Sequence, residues 1–363
     1  MAPVVAALAA YAPDVETTIA LTGQHTELVD QALGVFGLEP DYDLGIMREG
    51  QTLYDVTHGA LDGLRDVVKE LEPDIVLVQG DTASVFVGAL VGFFERVMVG
   101  HVEAGLRSHD KWAPFPEEAF RRMTDVLADF CFAPTQWAAS ELLAENVRPD
   151  RVYVTGNTVV DALLSVAGRE RPVQNDALRD ILAADDSRLV LLTAHRRESF
   201  GAPLREVFAA ARELADRFAD VHVLYPVHPN PNVRAPAAEL LGDHPRVHLT
   251  EPLDYLDLVT ALKHASLILT DSGGIQEEAP TFGAPVLVLR AVTERPEGID
   301  AGVAELVGTD RGLIVARGAA KLSEGRPVEA RNPYGDGRAG ERIADIVVSA
   351  LLGRARATEE WSP

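Results

Sequence analysis

Cysteine is almost absent: Cys131 is the only one in 363 residues. No intrachain disulfide can form, which fits a reducing compartment and makes the cytoplasm the expected location. Cys131 lies between Phe130 and Phe132 in the apolar run 128–133, where a thiol serves as a buried structural residue rather than a nucleophile. Long hydrophobic runs are also missing. None approaches the ~18–20 residues of a membrane span. The apolar stretch 4–10 has no basic region before it, so it does not read as a signal peptide. Positive charge is scarce. With 33 Lys and Arg against 56 Asp and Glu, the net charge is −23, which argues against nucleic acid or an anionic membrane as partner. An anionic substrate would have to be held by local cations and helix ends against that field. Lysine occurs only at positions 69, 111, 263 and 321, which reads as coding bias. No Cys, His or Asp spacing makes a metal site, and no repeat or low-complexity segment is present.

What is there is an alternation. Apolar strand-like runs lie at 17–22, 74–79, 97–102, 129–133 and 151–155, then at 189–193, 222–227, 247–250, 267–270 and 286–289. Amphipathic stretches such as 28–36, 53–71, 85–94, 204–218 and 255–264 separate most of them. Continuous apolar strands between helices predict parallel sheets covered on both faces. The chain length and the two similar runs predict two Rossmann-like domains. The first spans 1–156 and the second 157–338, with the turn Gly156-Asn157 or the Pro-containing segment 169–175 between them. A last helix from 339 is expected to cross back and join the first domain with the rest of 339–363.

The most informative stretch is Leu269-Thr-Asp-Ser-Gly-Gly-Ile-Gln-Glu-Glu278. A buried strand runs into the tight turn Asp271-Ser272-Gly273-Gly274, and a helix opens at Ile275. Small residues let a ligand approach the backbone, and a helix start offers unpaired N–H groups. The pattern fits a phosphate site; plain turn chemistry is the alternative. Gly80-Asp81-Thr82 and His101-Val-Glu103 also follow strands, which places Asp81 and Glu103 where ligands bind in open parallel sheets. Asp81 could equally be a helix N-cap. Glu117 and Glu118 follow Pro116 at a helix start, where acidic residues also simply suit the dipole. His195-Arg196-Arg197 ends another strand and could hold phosphate, or form a solvated charge run. Arg295 is a natural diphosphate ligand.

Taken together, His101-Val-Glu-Ala-Gly-Leu-Arg107, Pro116-Glu-Glu118, Gly156-Asn-Thr158, His195-Arg-Arg-Glu-Ser199, Asp271-Ser-Gly-Gly-Ile-Gln-Glu-Glu-Ala-Pro280, Thr293-Glu-Arg-Pro-Glu297 and Asn332-Pro-Tyr-Gly-Asp-Gly337 resemble, in order and over nearly the whole chain, the non-hydrolysing UDP-N-acetylglucosamine 2-epimerase family. That resemblance implies the glycosyltransferase-B architecture, an α/β fold of two Rossmann-like domains with the active site in the cleft between them. It implies reversible epimerisation of UDP-GlcNAc and UDP-ManNAc at C2, through elimination of UDP to 2-acetamidoglucal and re-addition, in the service of cell-surface polysaccharides. It also implies a homodimer and no cofactor. Position by position, Asp81, Glu103 and Glu117 become acid/base candidates. His195 and Arg295 become diphosphate ligands. Ser272, Gly273 and Gly274 hold phosphate, Glu278 accepts the ribose hydroxyls, and Arg121 positions the substrate. Gln24, His25, Arg196, Glu198 and His228 match residues that bind a second UDP-GlcNAc as activator.

The chain departs from the pattern in places. Family members begin with a strand and a Gly-Thr-Arg-Pro-Glu loop ahead of Met-Ala-Pro. Here Met1-Ala2-Pro3 comes first, so the expectation is a start upstream of Met1, and a first sheet short of its central strand. Phe120 replaces an Asn, Leu258 an aromatic that packs on uracil, and Ala291-Val292 an Asp-Thr pair. Glu27 and Gly59 stand where activator contacts are commonly Gln and Arg. The rival readings are the hydrolysing relative that releases ManNAc and UDP, a glycosyltransferase of the same architecture, and a non-catalytic nucleotide-sugar binder.

Overall fold

A computed structural model describes residues 1–23, 33–48, 50–169, 171–326 and 331–363. The expected helix at 28–36 lies partly outside them, and the expected activator residues Gln24 and His25 lie wholly outside. The chain forms two compact units, Met1–Ala162 with Gly335–Ser362, and Leu163–Tyr334. The division falls inside the helix Thr158–Ala167, beyond the Gly156-Asn157 turn.

The first unit holds a parallel sheet of Ile75–Gln79, Met98–Val102, Phe130–Ala133 and Val152–Val154, in that spatial order. Each strand is a short apolar run, as a sheet covered on both faces requires. The helix Leu53–Leu71 starts at a capping box: Thr52 accepts from the Asp55 N–H, and the Asp55 carboxylate accepts from the Thr52 N–H. Its neighbour Ala83–Phe94 is apolar all round, with Val85, Val87, Ala89 and Val91 buried, because it is packed on more than one side. The helix Ala2–Ala9 packs on Ala339–Leu352, and both lie in the first unit. Cys131 is fully buried and its thiol is pushed up by burial. Ala20–Leu21 pairs with Tyr42–Asp43 in a separate two-stranded sheet, and Ile75–Gln79 pairs with Met98–Val102. The strand expected at 17–22 is thus much shorter, and Tyr42–Asp43 is a strand that its polar sequence conceals.

The second unit is built on six parallel strands, ordered Ala304–Leu306, Val286–Val288, Ala265–Thr270, Arg188–Thr193, Val221–Pro226 and Val247–Thr250. The helices Ala202–Arg217, Pro231–Leu241 and Arg311–Glu324 close one large apolar core with residues such as Leu192, Phe208, Tyr225, Leu269 and Ile314. Burying a side chain of that size contributes roughly 1.5–3 kcal/mol. Strand order runs outward in both directions from Arg188–Thr193 and Ala265–Thr270. Those two strands therefore flank the switch point, where connections diverge and open a crevice beyond their carboxyl ends. Thr193 Oγ1 and Thr270 Oγ1 share a hydrogen bond of 2.6 Å at that place.

No helix among the described residues is long and apolar enough to cross a membrane. Among the same residues no cluster of His, Cys, Asp and Glu is suited to a metal ion.

Candidate functional site

At the switch point of the second unit, Asp271 is 1% exposed and organises the crevice. Its Oδ2 accepts the backbone N–H groups of His195 at 2.7 Å and Arg196 at 2.8 Å. The carboxylate thereby ties the ends of two adjacent strands together. Its Oδ1 lies 3.4 Å from His195 Nδ1. Burial lowers the His195 pKa below the usual imidazole range, against the pull of Asp271. The His195 ring stacks on His228 with centroids 5.4 Å apart. An anion arriving here would favour the imidazolium and reverse that shift.

Ser272 is the N-cap of the helix Gly273–Glu278, its hydroxyl unused as a cap. Its backbone N–H donates to Thr270 Oγ1 at 3.0 Å. Arg295 lies directly over Gly273: a β-carbon there would stand 3.4 Å from the guanidinium carbon. Arg295 Nε donates to Glu277 Oε1 at 2.7 Å, and its backbone N–H donates to Thr293 Oγ1 at 3.1 Å. Thr293 in turn donates to Gln276 Oε1 at 2.7 Å. A short helix start, a hydroxyl, a histidine and a held guanidinium thus converge at one place, a donor set suited to a diphosphate. Glu278 ends the helix. Burial, then the Glu277 charge, pushes its carboxyl up to about 8. Its Oε2 has no hydrogen-bond partner among the described residues. A buried acceptor left open in this way is the counterpart of a ligand hydroxyl.

Of the expected activator residues described, His228 joins this group through its stack on His195, and Arg196 through its backbone bond to Asp271. Glu198 is held instead by Arg290, whose Nε donates to it at 2.8 Å.

In the first unit Asp81 and Glu103 lie just beyond Ile75–Gln79 and Met98–Val102, and Glu117 opens the helix Glu117–Leu127. Asp81 pairs with Arg121, which is 7% exposed and lies 3.4 Å from Glu118 Oε2. Glu118 is fully buried and accepts the backbone N–H groups of Ser108 at 3.0 Å and His109 at 3.2 Å. It holds the loop. Glu117, its neighbour, is half-buried, and its carboxylate makes no hydrogen bond or ion pair among the described residues. Glu103 has a left-handed backbone, φ 66°, a strained state for a non-glycine residue that persists where surroundings fix it. Its two oxygens accept from Gln79 Nε2 at 3.1 Å and Asn157 Nδ2 at 3.4 Å. Phe120 is a packing residue, stacked on Phe86 at 5.4 Å. Gln79 belongs to no motif in the sequence, and Asn157 and Asp271 stand out there only as motif and turn residues. Each is the last residue of a strand or lies just beyond one, which is the one signal that marks them.

The chain matches known proteins over nearly its whole length. The family model described as UDP-N-acetylglucosamine 2-epimerase matches residues 8–348. The chain is 47% identical over 357 residues to the UDP-N-acetylglucosamine 2-epimerase of Escherichia coli O157:H7, covering 96% of this chain and 94% of that one. A solved structure from Listeria monocytogenes superposes with a TM-score of 0.91 at 43% identity, over 100% of this chain and 95% of that one. The Neisseria meningitidis UDP-GlcNAc 2-epimerase, solved bound to UDP-GlcNAc, superposes with a TM-score of 0.85 at 39% identity, over 98% and 96%.

Proposed function

The chain belongs to the UDP-N-acetylglucosamine 2-epimerase family and is an isomerase, and on that premise we propose that it interconverts UDP-GlcNAc and UDP-ManNAc without hydrolysis. The observation that carries this reading is that each unit holds a cluster of its own, and the two clusters have opposite chemistry. The second unit offers Ser272, Gly273, Gly274, His195 and Arg295 to a diphosphate. The first offers Asp81, Glu103 and Glu117.

The C2 proton of the sugar is not acidic enough for direct removal. Elimination avoids that demand: a carboxylate takes the C2 proton as the C1–O bond breaks, and the electron pair leaves with UDP. The product is the neutral 2-acetamidoglucal. Re-addition runs the other way, with a diphosphate oxygen bonding C1 and a proton delivered to the opposite face of C2. The leaving diphosphate gains charge in the transition state, and the Arg295 guanidinium and helix start are where that charge is stabilised. Proton transfer needs carboxylates within hydrogen-bond reach of C2. Glu278 accepts the ribose hydroxyls, which its open oxygen suits.

The test is incubation with UDP-GlcNAc in D2O, followed by proton NMR. Loss of the C2 proton signal with growth of UDP-ManNAc supports the proposal. Free ManNAc with UDP would move the protein to the hydrolysing class. UDP-GlcNAc bound but unchanged would make it a binder.

A further inference from the structure

We infer that His101 is a positioning residue of the reaction, held as a doubly protonated imidazolium that fixes the Gly80-Asp81 turn and the backbone around Glu103. The inference rests on the proposed function for its catalytic consequence and on geometry alone for its charge state.

His101 is completely buried in the strand Met98–Val102. Its Nδ1 lies 2.6 Å from Asp125 Oδ1, and its Nε2 lies 2.8 Å from the Gly80 carbonyl oxygen. A carbonyl oxygen only accepts. Asp125 is an acceptor on its other oxygen as well, taking Arg107 Nη2 at 2.7 Å and the Gly105 N–H at 3.4 Å. A carboxylate so surrounded is ionised, and both ring nitrogens of His101 must then carry hydrogen. Either neutral tautomer would set a ring lone pair against an oxygen lone pair with no water to intervene.

The charges around the ring alternate in sign, and Arg122 pairs with the outermost of them, Glu145, at 3.0 Å. Asp125 faces it from the helix Glu117–Leu127, and Arg107 from the loop after its own strand. Glu145, beyond the helix Gln136–Ala144, binds Arg107 at 2.9 Å. Cys131, paired with His101 across the sheet, is neutral. Burial pulls the imidazole down, but Asp125, Gly80 and Glu103 outweigh it, and the net direction is upward. The buried pairs act as a clamp rather than as a stability device.

The clamp grips the candidate residues by their backbone. Gly80 has φ 88° and immediately precedes Asp81, and its carbonyl is the one held. Asp125 holds the Gly105 N–H two residues beyond Glu103. Gly105 admits no side chain there: a β-carbon would stand 2.2 Å from the Ala138 carbonyl oxygen.

Nitrogen-15 NMR of isotopically labelled full-length wild type, with the His101 ring assigned by through-bond correlation to its own backbone amide, tests the charge state directly. Both ring nitrogens should read as protonated from pH 6 to pH 8. A lone pair on either nitrogen at pH 7 overturns the inference, and this holds even where a variant fails to fold. His101→Gln can donate to only one of the two oxygens. Its kcat should fall by about 10²-fold, since small misplacements of reacting groups cost that much. Its KM and UDP affinity should stay within about threefold of wild type, as expected when an interaction matters only in the transition state. Asp125→Asn should move the acid limb of the kcat profile. A folded His101→Gln with wild-type kcat and profile overturns the positioning role. An inactive wild type would instead sink the epimerase proposal and leave the charge state standing.

Discussion

The guanidinium carbon of Arg295 lies 3.4 Å from the point where a β-carbon on Gly273 would stand. A phosphate can therefore reach the helix start and the guanidinium together, with no methyl group between them. Gly273→Ala places a methyl in that approach while making only ordinary contacts. UDP affinity should fall about tenfold, or ~1.4 kcal/mol, with an unchanged thermal midpoint. Calorimetric titration with UDP checks this, and wild-type affinity would count against the phosphate assignment.

Asp81 pairs with the buried Arg121, which also faces Glu118. Asp81→Asn keeps the shape and removes the charge. Turnover of UDP-GlcNAc should drop by about 10²–10⁴-fold, the range of general acid–base contributions. UDP binding should persist, because the diphosphate ligands lie on other strands. Equal losses of turnover and UDP affinity would show that Asp81 serves binding instead.

Glu278 gives a pH signature. Its folded value of about 8 lies above the ordinary 4.5, so the folded chain holds the extra proton between those values. The associated stability is complete below about pH 4.5 and is lost as pH rises through 8. Glu278→Gln cannot ionise. Without ligand it should be more stable than wild type at pH 9, by about 1–2 kcal/mol, yet bind UDP more weakly for want of a carboxylate acceptor. Urea denaturation at pH 6 and pH 9 distinguishes this from a simple packing change, which would shift both alike.

His222 Nδ1 and His248 Nε2 lie 3.1 Å apart on neighbouring strands. Burial lowers both, and for His248 the neighbouring His222 adds to it. The unfolded chain therefore takes up protons first. Stability is present above the ordinary value of 6.5 and is lost as pH falls below it. His248→Gln should flatten the fall in urea midpoint between pH 7 and pH 5.5. A slope as steep as wild type would mean the pair does not carry it.

Much of the fold is legible along the chain. The strand Val247–Thr250 and the helices Leu53–Leu71 and Tyr255–His264 follow from apolar periodicity over contiguous residues. The turn after Thr270 is shorter than the expected Asp271-Ser272-Gly273-Gly274: the helix opens at Gly273 rather than Ile275, with Ser272 as its N-cap. Tyr42–Asp43 escapes because a two-residue polar strand has no period. The supports of the site escape for a different reason. His101 meets Asp125 across 24 positions, and Asp271 meets the His195 backbone across 76. Asp257 caps Gln174 and Asn175 across more than 80. Such pairs are set by strand order, which no local spacing records. The partner of Glu198 is equally non-local: Arg290 donates to its carboxylate across 92 positions.

Proton NMR of UDP-GlcNAc with the protein in D2O tests the central claim most directly. The account predicts exchange of the C2 proton for deuterium together with accumulation of UDP-ManNAc, and no free ManNAc. A C2 proton that persists while UDP-GlcNAc remains intact would contradict it.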